Sequence, residues 1–342
     1  MKRALIHSYK FSSLGKDWSH RFEWVISSLQ DLGYTVFRDK NLSGLNELPI
    51  LEDDDPVDII IYNHADIAEI RSKKLPIADS VWFFKPTVPD ENTTTLDELG
   101  YGSYSSITYD KPPYENIDDD TVLNFFQSTV QDWISTSSCK WGENHFKETE
   151  IPYEDFYLIV GQCGGDAVVT RQDFGGYFEK LEAIVKELLL VDKQRQVVVK
   201  LHPYTDGPME NPNQCDIKKP LAKKLESFSP RVKVYYDHSS IHSYLPDCRA
   251  VFVGNSGAGF EAMMHDKPII SFCQPEYHWV TYDLRKTCDI LNALDFNWWN
   301  YSSQRKFLYW YMEKYCFYDY NSAKKRIEEL LEEQIEYRVN FL

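Results

Sequence analysis

Nowhere in the 342 residues is there an unbroken run of about 18 apolar residues, the length a helix needs to cross a membrane, so no transmembrane span is expected. The N-terminus, MKRALIHSYKF, likewise lacks an apolar stretch of signal-peptide length. No CxxC pair occurs. The cysteines, Cys139, Cys163, Cys215, Cys248, Cys273, Cys288 and Cys316, are odd in number and scattered, which argues against a disulfide framework and against a zinc site. They read as reduced, mostly buried thiols of a cytoplasmic protein. Nor is there an excess of positive charge. Lys and Arg number 37 against 53 Asp and Glu, a formal net charge of −16. That balance argues against a general nucleic-acid binder and against docking on anionic membranes, while leaving room for a local basic pocket.

What the chain does have is length for two domains and many aromatics: 23 Tyr, 19 Phe and 9 Trp. Such rings fill cores and also stack on sugars and bases. No internal repeat is visible. Residues 3–8, 34–38, 57–62 and 81–84 read as strands, with a helix from Trp18 to Leu32 ended by Gly33. Strand, helix, strand in this order indicates an α/β layer with a parallel sheet. Residues 86–120, rich in Pro, Asp, Asn, Thr and Tyr, read as long cleft-lining loops. Asp118–Asp120 read as the N-cap of a helix over 122–134. The polar stretch 136–152 reads as a linker.

A second α/β series follows. Strands are expected at 156–160, 197–201, 232–235, 250–253 and 268–272, with helices at 177–190, 240–245 and 259–264. Two helical, aromatic segments, 304–315 and 322–338, close the chain. The expected division is 1–150 for an acceptor-side Rossmann-like domain, 151–302 for a second Rossmann-like domain, and 303–342 for helices packing back on the first.

Three segments carry chemistry. In FVGNSGAGFEA a strand runs into Asn255, Ser256, Gly257 and Gly259 and then into a helix bearing Glu261. Small residues allow close backbone approach, and a helix N-terminus offers N–H groups to an anion. Glu261 either accepts from ribose hydroxyls or merely favours the helix dipole. In VVVKLHP a buried strand ends in Lys200, His202 and Pro203, at the sheet edge where open α/β folds bind ligands. In LIVGQCGGDA a strand leads to Gln162, Gly164, Gly165 and Asp166. Asp166 there is a nucleophile, a base or a helix cap.

Taken together, Gln162-xxx-Asp166, Lys200-x-His202-Pro203 and Asn255-Ser256-x-x-Gly259-x-Glu261-Ala262 with Lys267-Pro268 resemble the bacterial capsule-polysaccharide synthesis proteins, retaining β-Kdo transferases, over roughly residues 155–285. The resemblance implies a GT-B-like fold, two Rossmann-like domains with a cleft between them. It implies a CMP-Kdo donor, a glycan or glycolipid acceptor, and association with a polysaccharide assembly complex. It makes Asp166 the nucleophile of a covalent glycosyl intermediate, beside Gln162 of the same element. His202 and the Ser256–Gly259 turn would hold the CMP phosphate, with Lys200 supplying charge and Asn255 and Gly257 shaping the turn. Glu261 would hold the ribose. No cofactor or divalent metal is expected, because no DxD triplet lies at a strand end near these motifs. The stretch LDELGYGSYSSI is also similar to the family. Where the resemblance implies a Glu after strand 81–84, this chain has Lys85-Pro86, with Asp90 and Glu91 following as candidate acids. The alternatives are an inverting enzyme using another nucleotide sugar, or a non-catalytic binding scaffold.

Overall fold

The computed structural model describes residues 2–9, 19–42, 45–52, 55–163, 166–170, 176–202, 218–284 and 290–341, without the side chains of 19, 20, 167, 170 and 334–341. Trp18, Asp53, Asp54, Gly164, Gly165, Pro203, Cys215 and Cys288 therefore lie outside the described residues. Contacts divide the chain into two compact units: Met1–Asp110 with Trp310–Leu342, and Lys111–Tyr309.

The first unit begins β1 (Lys2–Ile6), α1 (Ser19–Asp31), β2 (Tyr34–Arg38), β3 (Ile59–Asn63), α2 (Ile67–Ser72), β4 (Ser80–Pro86), β5 (Thr94–Asp97) and α3 (Ser106–Tyr109). The apolar stripe of α1, Phe22, Val25, Ile26 and Leu29, is fully inside, as a 3.6-residue period requires. Gly33 then stops the helix with φ at +85°, a conformation open to glycine. β3, apolar on both faces, is buried throughout, as befits an inner parallel strand. Residues 86–120 hold more order than expected from their polarity. β5 is polar yet fully buried, because β4 and the late strand β12 (Cys316–Phe317) pair with it antiparallel on either side. Its last residue, Asp97, is the organiser of the LDELGYGSYSSI stretch. The buried carboxylate accepts from Leu99 N at 2.8 Å, Gly100 N at 3.0 Å, Ser106 N at 3.0 Å, Ser106 Oγ at 2.6 Å and Tyr315 Oη at 2.7 Å.

The second unit continues with α4 (Asp119–Phe125), a π-helical turn over Phe126–Val130, and α5 (Gln131–Ser135), one continuous helix in place of the expected 122–134. Asp118 caps it, accepting from Thr121 N at 2.9 Å. Then come β6 (Phe156–Val160), α6 (Ala167–Thr170), α7 (Tyr177–Val191), β7 (Val197–Lys200), α8 (Lys218–Glu226), β8 (Val232–Tyr235), β9 (Cys248–Val253), α9 (Ala258–Met264), β10 (Ile269–Ser271), β11 (Tyr282–Asp283), α10 (Ile290–Ala293) and α11 (Tyr301–Trp310). The sheet is all parallel, in the order β11-β10-β9-β6-β7-β8.

The units divide at 110 and 309 rather than at the expected 150 and 302, because residues 111–150 are bound to the second sheet and to α11. Lys306 pairs with Asp119 at 2.8 Å, Arg305 lies 4.6 Å over the Phe126 ring, and Tyr114 meets Phe307 edge-on. The stretch 136–152 is a strap rather than a free linker. Lys147 N donates to His238 O at 3.0 Å, Ser240 N to Lys147 O at 2.7 Å, and Thr149 N to Ser243 Oγ at 3.1 Å. At the C-terminus, α12 (Tyr320–Phe341) sets Ala323, Ile327 and Leu330 into the core of the first unit beside α1.

Asp97→Ala strips an acceptor from five donors in a dry interior, and its expected cost is at least about 3 kcal/mol of stability. A urea midpoint within error of the parent would contradict this.

Candidate functional site

In the second unit the chain builds outward from β6 to β7 and β8, then crosses back to lay down β9, β10 and β11 on the other side. The order reverses between β6 and β9. Loops leaving the carboxyl ends of strands at such a switch point diverge to opposite faces and leave a crevice. All three predicted segments lie at the carboxyl ends of parallel strands of this sheet: Gln162 two residues beyond β6 and Asn255 two beyond β9, flanking the reversal, and His202 two beyond β7, the next strand along.

Gln162 ties the two sides together. Its side chain is 6% exposed, and its Oε1 accepts from Asn255 N at 2.6 Å. Its own N–H donates to Tyr177 Oη at 3.0 Å. The bond needs Gly254, where a Cβ would stand 2.7 Å from the Gln162 oxygen and 2.8 Å from the Tyr177 ring. Asn255 Nδ2 in turn donates to Val168 O at 2.7 Å, which fixes the amide's orientation and leaves its buried Oδ1 without a hydrogen bond among the described residues. Gln162, expected beside the nucleophile, is therefore a positioning group for the β9 turn. Asp166 is half-buried. Its Oδ1 accepts from Val168 N at 3.2 Å and its carbonyl from Val169 N at 2.9 Å, so it caps α6. The cap engages one carboxylate oxygen.

The turn after β9 differs from the expectation of free N–H groups. Ala258 N donates to Ser256 Oγ at 3.2 Å, Gly259 N to Ser256 O at 3.1 Å, and Phe260 N to Gly257 O at 2.9 Å. The head of α9 is thus satisfied internally. Gly259 is small for another reason than ligand approach. A Cβ there would fall 2.2 Å from the Tyr277 ring, whose hydroxyl donates to Ser256 O at 2.5 Å. Every residue of α9 is buried, Glu261 included. Burial pushes the Glu261 carboxyl up to about 7, with Lys140 acting in the opposite direction, and no described residue hydrogen-bonds it.

Lys200 does not reach the crevice as a free charge. Its buried ammonium donates to Asp237 O at 2.6 Å and lies 3.5 Å from the Asp237 carboxylate. His202 Nδ1 lies 3.5 Å from Cys163 Sγ. Burial, then Lys140, Lys200, Lys218 and His238, push its pKa down to about 4, so the ring is neutral at pH 7 within an electropositive setting. The strap supplies contacts that sequence reasoning missed. Ser138 O accepts from His242 Nε2 at 3.1 Å, and His242 Nδ1 is 2.9 Å from Nε2 of His265 at the end of α9. That pair pins the strap beside the C-terminal end of α9, and the Lys140 charge opposes the burial-driven rise of Cys163 and Glu261 and adds to the lowering of His202. Only the placement of Lys140 just before an aromatic, in a stretch too polar to look structured, marked it in the sequence.

In the first unit, β4 carries Lys85 where an acid was expected. Its ammonium meets His64 Nε2 and lies 4.7 Å over the Tyr101 ring. Asp90 accepts from Asn92 N and Thr93 N within its own loop, and Glu91 is exposed. A cavity of about 550 Å³ in this unit is lined by His7, Asp39, Asp55 and Asp79 among others, away from Lys85.

Residues 138–290, a little under half of the chain, match the family described as capsule polysaccharide biosynthesis protein. The stretch of sequence resemblance, 155–285, lies inside that match, which begins in the strap. Two solved domains of Thermosulfurimonas dismutans KpsC have a similar fold. The beta Kdo 2,4 transferase is 14% identical, with 93% of this chain and 92% of that one covered at a TM-score of 0.55. The beta Kdo 2,7 transferase is 17% identical, with 97% and 99% covered at a TM-score of 0.52. The fold is thus α/β and GT-B-like, built on two Rossmann-like sheets. Comparison with curated protein sequences finds no match. Among the described residues, no helix is long and apolar enough to cross a membrane.

His7, His202, His242 and His265 all have pKa values lowered by burial first. The unfolded chain, with histidines near 6.5, binds more protons below that pH, so stability falls as pH falls from 7 toward 4. For His202 alone the expected loss at pH 5 is about 2 kcal/mol, and urea midpoints at pH 7 and 5 for the parent and His202→Gln measure it. Equal midpoint shifts in the two proteins would refute the assignment. Gly259→Ala is expected to cost about 1–3 kcal/mol through overpacking against Tyr277, read in the same assay.

Proposed function

We propose that this chain is a glycosyltransferase of surface-polysaccharide synthesis that transfers Kdo from CMP-Kdo to a glycan or glycolipid acceptor, with retention through a covalent intermediate on Asp166. The observation that carries the reading is the clamp from Gln162 to Asn255 at the switch point. It ties the segment that carries Asp166 to the turn leading into α9 and Glu261, while His202 follows the neighbouring strand β7. The family match over 138–290 and the fold shared with two Kdo transferases support the same class.

The chemistry asks little of each residue. Departure of CMP leaves an oxocarbenium-like centre at the sugar. One oxygen of Asp166 caps α6 and fixes the side chain, and the other attacks that centre from the face opposite the leaving phosphate, forming a glycosyl ester. The acceptor hydroxyl then displaces the carboxylate, giving up its proton to solvent, and the second inversion restores the starting configuration and returns Asp166 as a free carboxylate. His202, neutral before binding, donates an N–H to the phosphate and gains basicity beside it. Glu261 pairs with the ribose hydroxyls, which would relieve its lack of a hydrogen bond.

Two further readings remain distinct. In an inverting enzyme using another nucleotide sugar, Asp166 only caps its helix. A non-catalytic nucleotide- or glycan-binding protein draws support from Lys85 standing where the first unit was expected to carry an acid.

Asp166→Asn separates the three. Asn caps helices about as well as Asp, so fold and CMP affinity should persist while turnover falls by several orders of magnitude. Intact-protein mass spectrometry with donor alone should show one added sugar on the parent and none on the variant. An active Asp166→Asn enzyme would defeat the covalent route, and a parent chain that binds CMP without any turnover would favour the binding protein. Calorimetry showing UDP bound more tightly than CMP would count against the donor.

A further inference from the structure

We propose that Cys163 is a positioning residue of the crevice: its thiol donates to His202 Nδ1 and so fixes the imidazole as the Nε2–H tautomer, whose N–H is the one given to the phosphate of the ligand. The inference rests on the reading of the crevice as a nucleotide-sugar site and names what sets the donor there. An uncharged imidazole has one N–H and one lone pair, and the partner of one ring nitrogen decides which of the two carries the proton. His202 Nδ1 has such a partner in Cys163 Sγ, 3.5 Å away.

The contact follows from the way β6 and β7 run out. Their parallel pairing continues one residue past β6, where Gly161 N donates to Lys200 O at 2.9 Å. The two backbones pass so closely there that a Cβ on Gly161 would stand 3.0 Å from Leu201 Cδ2 and 3.3 Å from Leu201 Cα. Just beyond that passage the side chains of Cys163 and His202 meet. Gln162, between Gly161 and Cys163, is held by Tyr177 and by Asn255, so the place of the cysteine is set by a buried anchor. The Cys163 carbonyl also accepts from Asp166 N at 3.0 Å. One residue thus bonds through its backbone to the proposed nucleophile and through its side chain to the proposed phosphate donor. Burial, then the Asp166 carboxylate, raises the thiol above its ordinary range, and burial lowers His202 to about 4. The pair is therefore neutral at pH 7 and is not the thiolate and imidazolium of a reactive cysteine. Sulfur is a weak acceptor and a ring nitrogen a good one, so between the two neutral groups the S–H donates to Nδ1.

The test reads the tautomer directly, from the ring nitrogens of the full chain labelled with 15N-histidine, with His202 assigned by its loss in His202→Gln. The parent should show His202 protonated on Nε2 at pH 7. Cys163→Ser, which keeps a donor, should preserve that pattern, and Cys163→Ala should lose it, with Cys163→Val as a second donor-free variant should the Ala protein fail to fold. By calorimetry the donor-free variants should bind CMP about threefold to tenfold more weakly and cytidine, which lacks the phosphate, within about twofold of the parent, while Cys163→Ser recovers most of the loss. A parent His202 protonated on Nδ1 would overturn the role of Cys163 alone and leave the proposed function standing. So would a donor-free variant with the parent's tautomer and CMP affinity, or a Ser variant that falls as far as Ala, the mark of a packing contact. A parent chain that binds none of CMP, UDP and GDP would overturn the nucleotide reading itself and this inference with it.

Discussion

Between β6 and β9 the second sheet reverses its order of assembly, and the two chain segments that emerge there are tied by the amide of Gln162. A switch point by itself only parts two loops. Here the Gln162 oxygen takes the Asn255 N–H, the Asn255 side chain takes the carbonyl of Val168, and Asp166 caps the short helix to which Val168 belongs. The three bonds form a closed path from β6 through β9 and back to the segment after β6. Geometry at Asp166 thus depends on a bond made at the far end of another strand. Tyr177, fully buried and taking the Gln162 N–H, completes the support from behind.

Burial sets the electrical character of this crevice. Histidines at 202, 242 and 265 are kept neutral by desolvation, so they join elements by hydrogen bonds without adding charge. The buried ammonium of Lys200 is met by Asp237, and burial raises the Glu261 carboxyl to about 7. A group so poised changes ownership of its proton for little free energy.

Strand and helix periodicity made most of the fold legible, because the inner strands are apolar on both faces and α1 keeps a clean stripe. β5 was not legible. Thr94, Thr95 and Asp97 read as loop residues, and they are accommodated by β4 on one side and by β12, more than two hundred residues later, on the other, with Tyr315 reaching Asp97 from the same distant segment. The strap escaped for the same reason: its polar residues are bonded by partners from 238 to 243, a separation that no local pattern encodes. At the site, the residue types were visible and their division of labour was not. Lys200 looks like a charge for a ligand from spacing alone, yet the Asp237 carbonyl lies next to it once β8 is in place.

The same division explains why a motif of small and polar residues mixes two kinds of necessity. Gly254 is required by the passage of the Gln162 amide, and Gly259 by the Tyr277 ring. Ser256 is required because its hydroxyl and carbonyl satisfy the head of α9 and the Tyr277 hydroxyl together. None of these needs a ligand to account for it. Asn255 Oδ1 and Glu261 are different: each is buried, and neither has a hydrogen bond within the described chain. In a folded protein such groups are few, since each forfeits the hydration it had when unfolded. The framework residues could be exchanged, in principle, for another well-packed turn. Packing within the described chain does not account for them, and the proposed function assigns Glu261 to the ribose hydroxyls.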